Sequence, residues 1–246
     1  MESIMVSALS NAGFFVEPSQ GIIDEHTGKS REIDIVAEYC RYSPENHRTC
    51  VKTHFVIEAI NNLYPLILTA ERPPSPHVEE ECYFKYWVTP DEDTFGNIDI
   101  LAGRWIKNKT LYAQYCAITK KKNKELMASH SDDLYSSIIK MVKYCTDSAI
   151  KPEWADDDVW RVCFWQPVLV VQNDILVHKT DDSGNDILEE VSSALLEFNY
   201  HTNGEPDSII IEVVKEDSLI AHLLKLADRD ELVENKIGEL RAEQLT

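Results

Sequence analysis

The chain has 246 residues, enough for one large domain or a core domain with an elaboration. Its 43 acidic and 24 basic side chains leave a formal charge of −19, which argues against a simple nucleic-acid binder, because phosphate contacts require Lys and Arg. Hydrophobic residues make up 43% and charged residues 27%, as in folded globular proteins, and no apolar run approaches the roughly 20 residues that span a bilayer.

The N-terminus, Met1-Glu2-Ser3-Ile4, lacks the basic and long apolar stretches of a signal peptide. Six cysteines occur without a Cys-x-x-Cys pair and read as reduced thiols, so a cytoplasmic protein with no membrane association is expected. Charge is uneven along the chain. Residues 1–100 carry 7 basic and 17 acidic side chains, residues 101–150 carry 9 and 4, and residues 151–246 carry 8 and 22. Only the middle stretch is basic. There Lys120, Lys121, Lys122 and Lys124 are the candidates for a DNA-facing surface, and a solvated face is the competing reading.

In chain order, residues 2–12 have apolar side chains at helical spacing, with Gly13 as a stop. Phe14-Phe15-Val16 starts a strand that continues through Gly21-Ile22-Ile23 past a bend at Pro18. The turn formers between Asp24 and Lys29 predict a hairpin loop. Two strands follow, Ser30 to Glu38 and His54 to Ile60, separated by the loop 41–48. Residues 61–130 lack clear periodicity and read as an elaboration on the domain. From Ser131 a helix returns with Leu134, Ile138, Met141, Val142 and Cys145 as its apolar stripe, and Asp132 and Asp133 suit its first turn. Val162 to Val171 is an apolar strand in which Pro167 predicts a sheet edge or a bulge. Segments at 175–177, 194–198 and 208–214 would extend the sheet, and one long helix is expected over 218–240. A single domain is the simplest organisation.

The two strands carry the chemistry. Asp34 and Glu58 sit where a core strand would hold Val or Ile, and the period of two places Glu58 on the face of Val56 and Ile60. Burying an ionised carboxylate is costly unless a cation or a hydrogen-bonding partner meets it, so two such residues on neighbouring strands point to a shared metal ion. Asp34 could instead be an edge residue facing water, as Glu32 and Glu38 have the same parity. Cys40, His47, Cys50 and His54 match no standard zinc spacing and read as loop and strand residues.

An Asp on one strand followed by Glu-x-Lys on the next resembles the signature of the PD-(D/E)XK superfamily, the restriction-endonuclease-like nucleases. Asp34 matches the Asp, Glu58 matches the Glu, and Ile60 stands at the Lys position. The resemblance implies an α/β (α+β) fold with a helix–three strands–helix–strand core and a mixed central sheet flanked by helices. It further implies Mg²⁺ or Mn²⁺ held by Asp34 and Glu58, DNA as substrate, hydrolysis of a phosphodiester, and a homodimer for double-strand cleavage. Stand-alone members often serve restriction or phage defence, and some use an extra acid on the first helix, where this chain has Glu2. Ile60 has no donor, acceptor or charge, and three readings of it stay open. The lysine has moved to a neighbouring element, the chain is a pseudo-nuclease that acts as a protein-binding module, or Ile60 is an inactivating substitution. Lys52, six residues from Glu58, would lie about 20 Å away along the strand. A nucleic-acid mimic with an acidic surface for a protein partner is the weaker alternative.

Overall fold

The apolar spacing near the start of the chain is realised as helix α1 (Glu2–Asn11), which buries Met5 and Leu9. It stops at Gly13, whose φ of 94° lies in the left-handed region that a residue without Cβ enters readily. In this computed structural model the described residues are 1–24, 29–42, 49–72, 85–89, 110–120, 126–129, 132–150, 159–181, 183–202 and 204–244. Strands β1 (Phe15–Asp24), β2 (Lys29–Tyr42) and β3 (Thr49–Ile60) follow α1 as an antiparallel meander. The centre of the expected hairpin loop after Asp24 lies outside the described residues.

Strands β4 (Leu66–Arg72), β5 (Lys85–Thr89), β6 (Leu111–Lys120) and β7 (Leu126–Ser129) occupy the stretch where no periodicity is evident. They join the same sheet as the rest. Helix α2 (Asp132–Ser148) then crosses to β8 (Trp160–Val171), which runs parallel to β3 along its whole length. Strands β9 (Ile175–Thr180), β10 (Asp186–Val191), β11 (Ser193–Thr202) and β12 (Glu205–Lys215) complete a mixed sheet of order β1-β2-β3-β8-β12-β11-β6-β4-β9-β10, with β5 on β8 and β7 on β6. The fold is therefore mixed α/β, a large sheet with helices on both faces.

The alternation of side chains sorts the core by face. Val56, Trp165, Leu169 and Val36 point to the side covered by α2, whose stripe of Leu134, Ile138, Met141, Val142 and Cys145 is buried as expected. On the other side Ile35, Phe55, Ile57, Val168 and Val214 pack against α1 and α3 (Leu219–Ala227). Val51, Val162 and Phe164 continue that face under Val233 and Ile237 of α4 (Asp230–Gln244).

Two expectations are corrected. Pro167 lies in a central strand, opposite Val56 of β3, and not at an edge. The strand tolerates it because its far-side neighbour changes there: β5 pairs with residues 161–165 and β12 with residues 168–171. In that gap the Gln166 side chain donates to the Ile210 carbonyl at 3.3 Å. The long C-terminal helix is instead two helices, broken after Ala227. Arg41 of β2 takes the freed Ala227 carbonyl and pairs with Asp228, while buried Asp230 accepts from the Thr53 hydroxyl at 2.6 Å. Arg41 thereby satisfies one of the terminal carbonyls that the end of α3 leaves without an intrahelical partner.

Candidate metal centre

The ladder between β2 and β3 runs from Tyr42–Cys50 up to Ile35–Ile57 and stops there. One step further, where Asp34 and Glu58 face one another, side chains replace the backbone bonds. The Asp34 N–H donates to Glu58 Oε1 at 3.2 Å, and the Ala59 N–H donates to Asp34 Oδ2 at 2.8 Å. On its other edge β2 also loses a rung at this level, because the β1 ladder skips the pair of Ser19 and Asp34. Ser19 has φ of 55°, an uncommon left-handed conformation for a residue other than Gly, Asn or Asp. The sheet is thus opened on both sides of Asp34. The bend comes at Ser19, one residue after Pro18.

A third charged group enters from above. Lys140, on the α2 turn that packs over β3, places Nζ 2.8 Å from Glu58 Oε2. The Glu58 side chain is 2% exposed and that of Lys140 is 15% exposed, so the pair is largely removed from water. Burial pushes the Glu58 carboxyl up to about 7; the Lys140 hydrogen bond opposes that rise and the nearby Asp34 charge adds to it. Arg31, on β2, donates to Ser136 Oγ of α2 at 2.8 Å, tying the strand to the helix beside the opening.

Asp34 and Glu58, taken from the sequence as a pair, do converge, and Asp34 is half-buried between two interrupted ladders rather than an edge residue. Ile60 points to the same side of the sheet but is an apolar wall. It packs on the core beneath α2 and lines a cavity of about 600 Å³ with Asn61, Leu134 and Val171. Asn62 ends the strand, accepting from the Gln172 and Asn173 N–H groups. Lys120 is exposed at the end of β6 and reaches the rim of that cavity. Lys121, Lys122 and Lys124 lie outside the described residues, as does His47. Lys52 pairs with Glu38 at 2.8 Å, away from the opening. Glu2 is exposed on α1, which packs on the opposite face of the sheet.

Lys140 is the residue that sequence reasoning missed. Its signal was indirect: it falls in the one basic stretch of the chain, and it borders the apolar stripe of α2 between Ile138 and Met141. No spacing rule connects it to Glu58.

Among the described residues no group of three or more His, Cys, Asp or Glu side chains is placed to hold a metal ion. Two oxygen-donor carboxylates suit Mg²⁺, which keeps several of its waters and uses one or two carboxylates plus substrate phosphate. Asp34 keeps one oxygen outside the bond to Ala59, whereas both Glu58 oxygens are engaged, one of them weakly at 3.2 Å. The donor set fits such an ion with Asp34 leading. Comparison of the chain with protein-family models, with curated proteins and with solved structures returned no match.

Proposed function

We propose that this protein is a Mg²⁺- or Mn²⁺-dependent phosphodiester hydrolase acting on DNA, in which Asp34 and Glu58 hold the metal and Lys140 serves where the signature expects a lysine at Ile60. The observation that carries the reading is the meeting of Lys140 with Glu58 at 2.8 Å beside Asp34, from three separate elements. The order of α1, three antiparallel strands, α2 and a strand parallel to β3 supports a restriction-endonuclease-like core. The metal, when bound, would supply charge neutralisation at the phosphate and a more acidic water.

The residues of this chain would do the rest. Lys140 reaches the site from a rigid helix and offers a fixed cation for charge developing on phosphate oxygens. Its ammonium, already oriented by Glu58, would stay near that position when the carboxylate turns toward the ion. Asp34 is held by the Ala59 N–H, so its second oxygen is aimed without a side-chain search. Arg31 ties β2 to α2 through Ser136 and so helps hold the helix that carries Lys140.

A second reading has its own observation. Lys140 neutralises Glu58 from within, and a chain of charge −19 has few cations for DNA. In a non-catalytic module that binds a protein through its acidic surface, that ion pair would stand in for the metal. Plasmid nicking separates the two. The chain should relax supercoiled DNA with Mg²⁺ or Mn²⁺ and not with EDTA, and Lys140→Ala should lose at least about 100-fold, the scale of removing one group that stabilises the transition state. Activity that is absent with both metals, or that survives Lys140→Ala, contradicts the hydrolase reading.

A further inference from the structure

A second concave site lies on the same face of the sheet, at the C-terminal end of α2. It encloses about 570 Å³, within the range of small-molecule pockets, and Tyr42, Lys52, His54, Trp87, Arg161 and Trp165 line it. We propose that this pocket binds a nucleotide unit, its base against the aromatic side chains and its phosphate on Arg161.

The aromatic side is built by register. His54 and Trp165 are partners across β3 and β8, and their rings stack at 4.7 Å with planes 9° apart. Trp87 comes from β5 on the other edge of β8, 6.3 Å from Trp165. Burial holds the His54 imidazole down at about 4, so it is neutral at pH 7 and behaves as an aromatic surface. Trp165 is itself buried against His54, so the accessible parts of His54 and Trp87 are the surfaces left for a base, and such surfaces accept any base because each has a π-face.

The charge of the pocket is set by what is already paired. Glu38 meets Lys52 at 2.8 Å and lies 3.7 Å from His54, so the acid and the lysine cancel. Arg161 is half-buried beside Cys50 and Cys163, and no carboxylate among the described residues forms an ion pair with it. Burial pushes the Cys163 thiol up to about 12, leaving it protonated and uncharged. In a chain with so large an acidic excess, a half-buried guanidinium with no acidic partner among the described residues is a candidate site for an external anion. A neutral aromatic ligand would leave Arg161 unmet, and a small inorganic anion would leave the aromatic side in contact with water. A nucleotide satisfies both. This inference stands apart from the metal centre: His54 is four residues from Glu58, about 13 Å along β3.

The test uses the full chain in EDTA, so that neither metal binding nor cleavage enters. Titrations with adenosine monophosphate, adenosine, inorganic phosphate and a six-nucleotide single-stranded DNA are followed by tryptophan fluorescence and calorimetry. Adenosine monophosphate should bind saturably, quench fluorescence, and bind at least tenfold more tightly than adenosine or phosphate. Arg161→Ala should weaken it at least tenfold while Arg161→Lys retains part of the affinity, and Trp87→Leu should weaken adenosine monophosphate and adenosine alike. Tighter binding of the oligomer, with the same dependence on Arg161, supports the pocket and assigns its nucleotide to a strand; weaker binding assigns it to a free nucleotide. Two results overturn the proposal: no saturable binding of either nucleotide form, or affinity unchanged in Arg161→Ala with thermal stability intact.

Discussion

Two acid–lysine pairs lie over one face of strands β2 and β3, at levels four residues apart, and the two could hardly differ more in setting. Glu38 and Lys52 sit within an unbroken ladder, about a quarter exposed, and lie on the two strands themselves. Glu58 and Lys140 are buried, the lysine comes from a helix, and a second carboxylate stands beside them where the ladder has opened. A regular ladder uses its backbone groups internally, so its charged side chains only decorate the surface. An opened ladder frees backbone N–H groups to aim carboxylates. On the proposed reading the chemistry follows the opening, and an acid and a base in proximity do not suffice.

The largest effect should come from breaking the buried pair. Lys140→Met leaves Glu58 buried without its cation and should cost about 3 kcal/mol of metal-free stability, measured by urea titration, beside the loss of nicking. Adding Glu58→Gln should recover most of that stability and none of the activity, since the uncompensated charge is gone but so is one of the two proposed metal ligands.

The two regions should also show opposite responses to pH in EDTA. Glu58 is raised to about 7, so the stability its protonated form contributes is complete below about 4.5 and is lost as pH climbs to about 7. His54 is lowered to about 4, so its neutral burial contributes fully above about 6.5 and is lost as pH falls toward 4. Each amounts to roughly 3 kcal/mol from shifts of this size. Between pH 4.5 and 6.5 they oppose one another, and variants separate them. Glu58→Gln should leave a stability that rises with pH, and His54→Gln one that falls; the same slope in both would break the comparison.

Smaller effects sharpen it. Lys52→Met should cost between 0 and about 1 kcal/mol, as for partly exposed ion pairs in general, and should leave nicking intact. Ser19→Gly relieves a left-handed backbone opposite Asp34 and should raise stability by about 0.5 kcal/mol, whereas Ser19→Val should lower it. A denaturation series on the two Ser19 variants reads the strain directly.

Asp34 and Glu58 were legible in the sequence because a carboxylate is conspicuous inside an apolar run with a period of two. The stripe of α2 was legible for the same reason at the helical period. Lys140 was not, since a lysine beside an apolar stripe is ordinary and its partner is fixed only when α2 docks on the sheet. Pro167 misled because its tolerance depends on β5 and β12 meeting β8 at different levels, which is a property of the assembled sheet. The break between α3 and α4 was hidden likewise: Arg41 and Thr53, which secure it, lie far back in the chain. The exposed edge strand β10, Asp-Ile-Leu-Glu-Glu-Val, shows no apolar face to announce it.

Calorimetric titration of the metal-free chain with Mn²⁺ and Mg²⁺ tests the central claim most directly, because it asks whether the opened ladder is a cation site at all. One ion per chain should bind, with binding abolished in Asp34→Asn and preserved in Lys140→Met. No saturable binding by either metal, or binding that persists in Asp34→Asn, would contradict it.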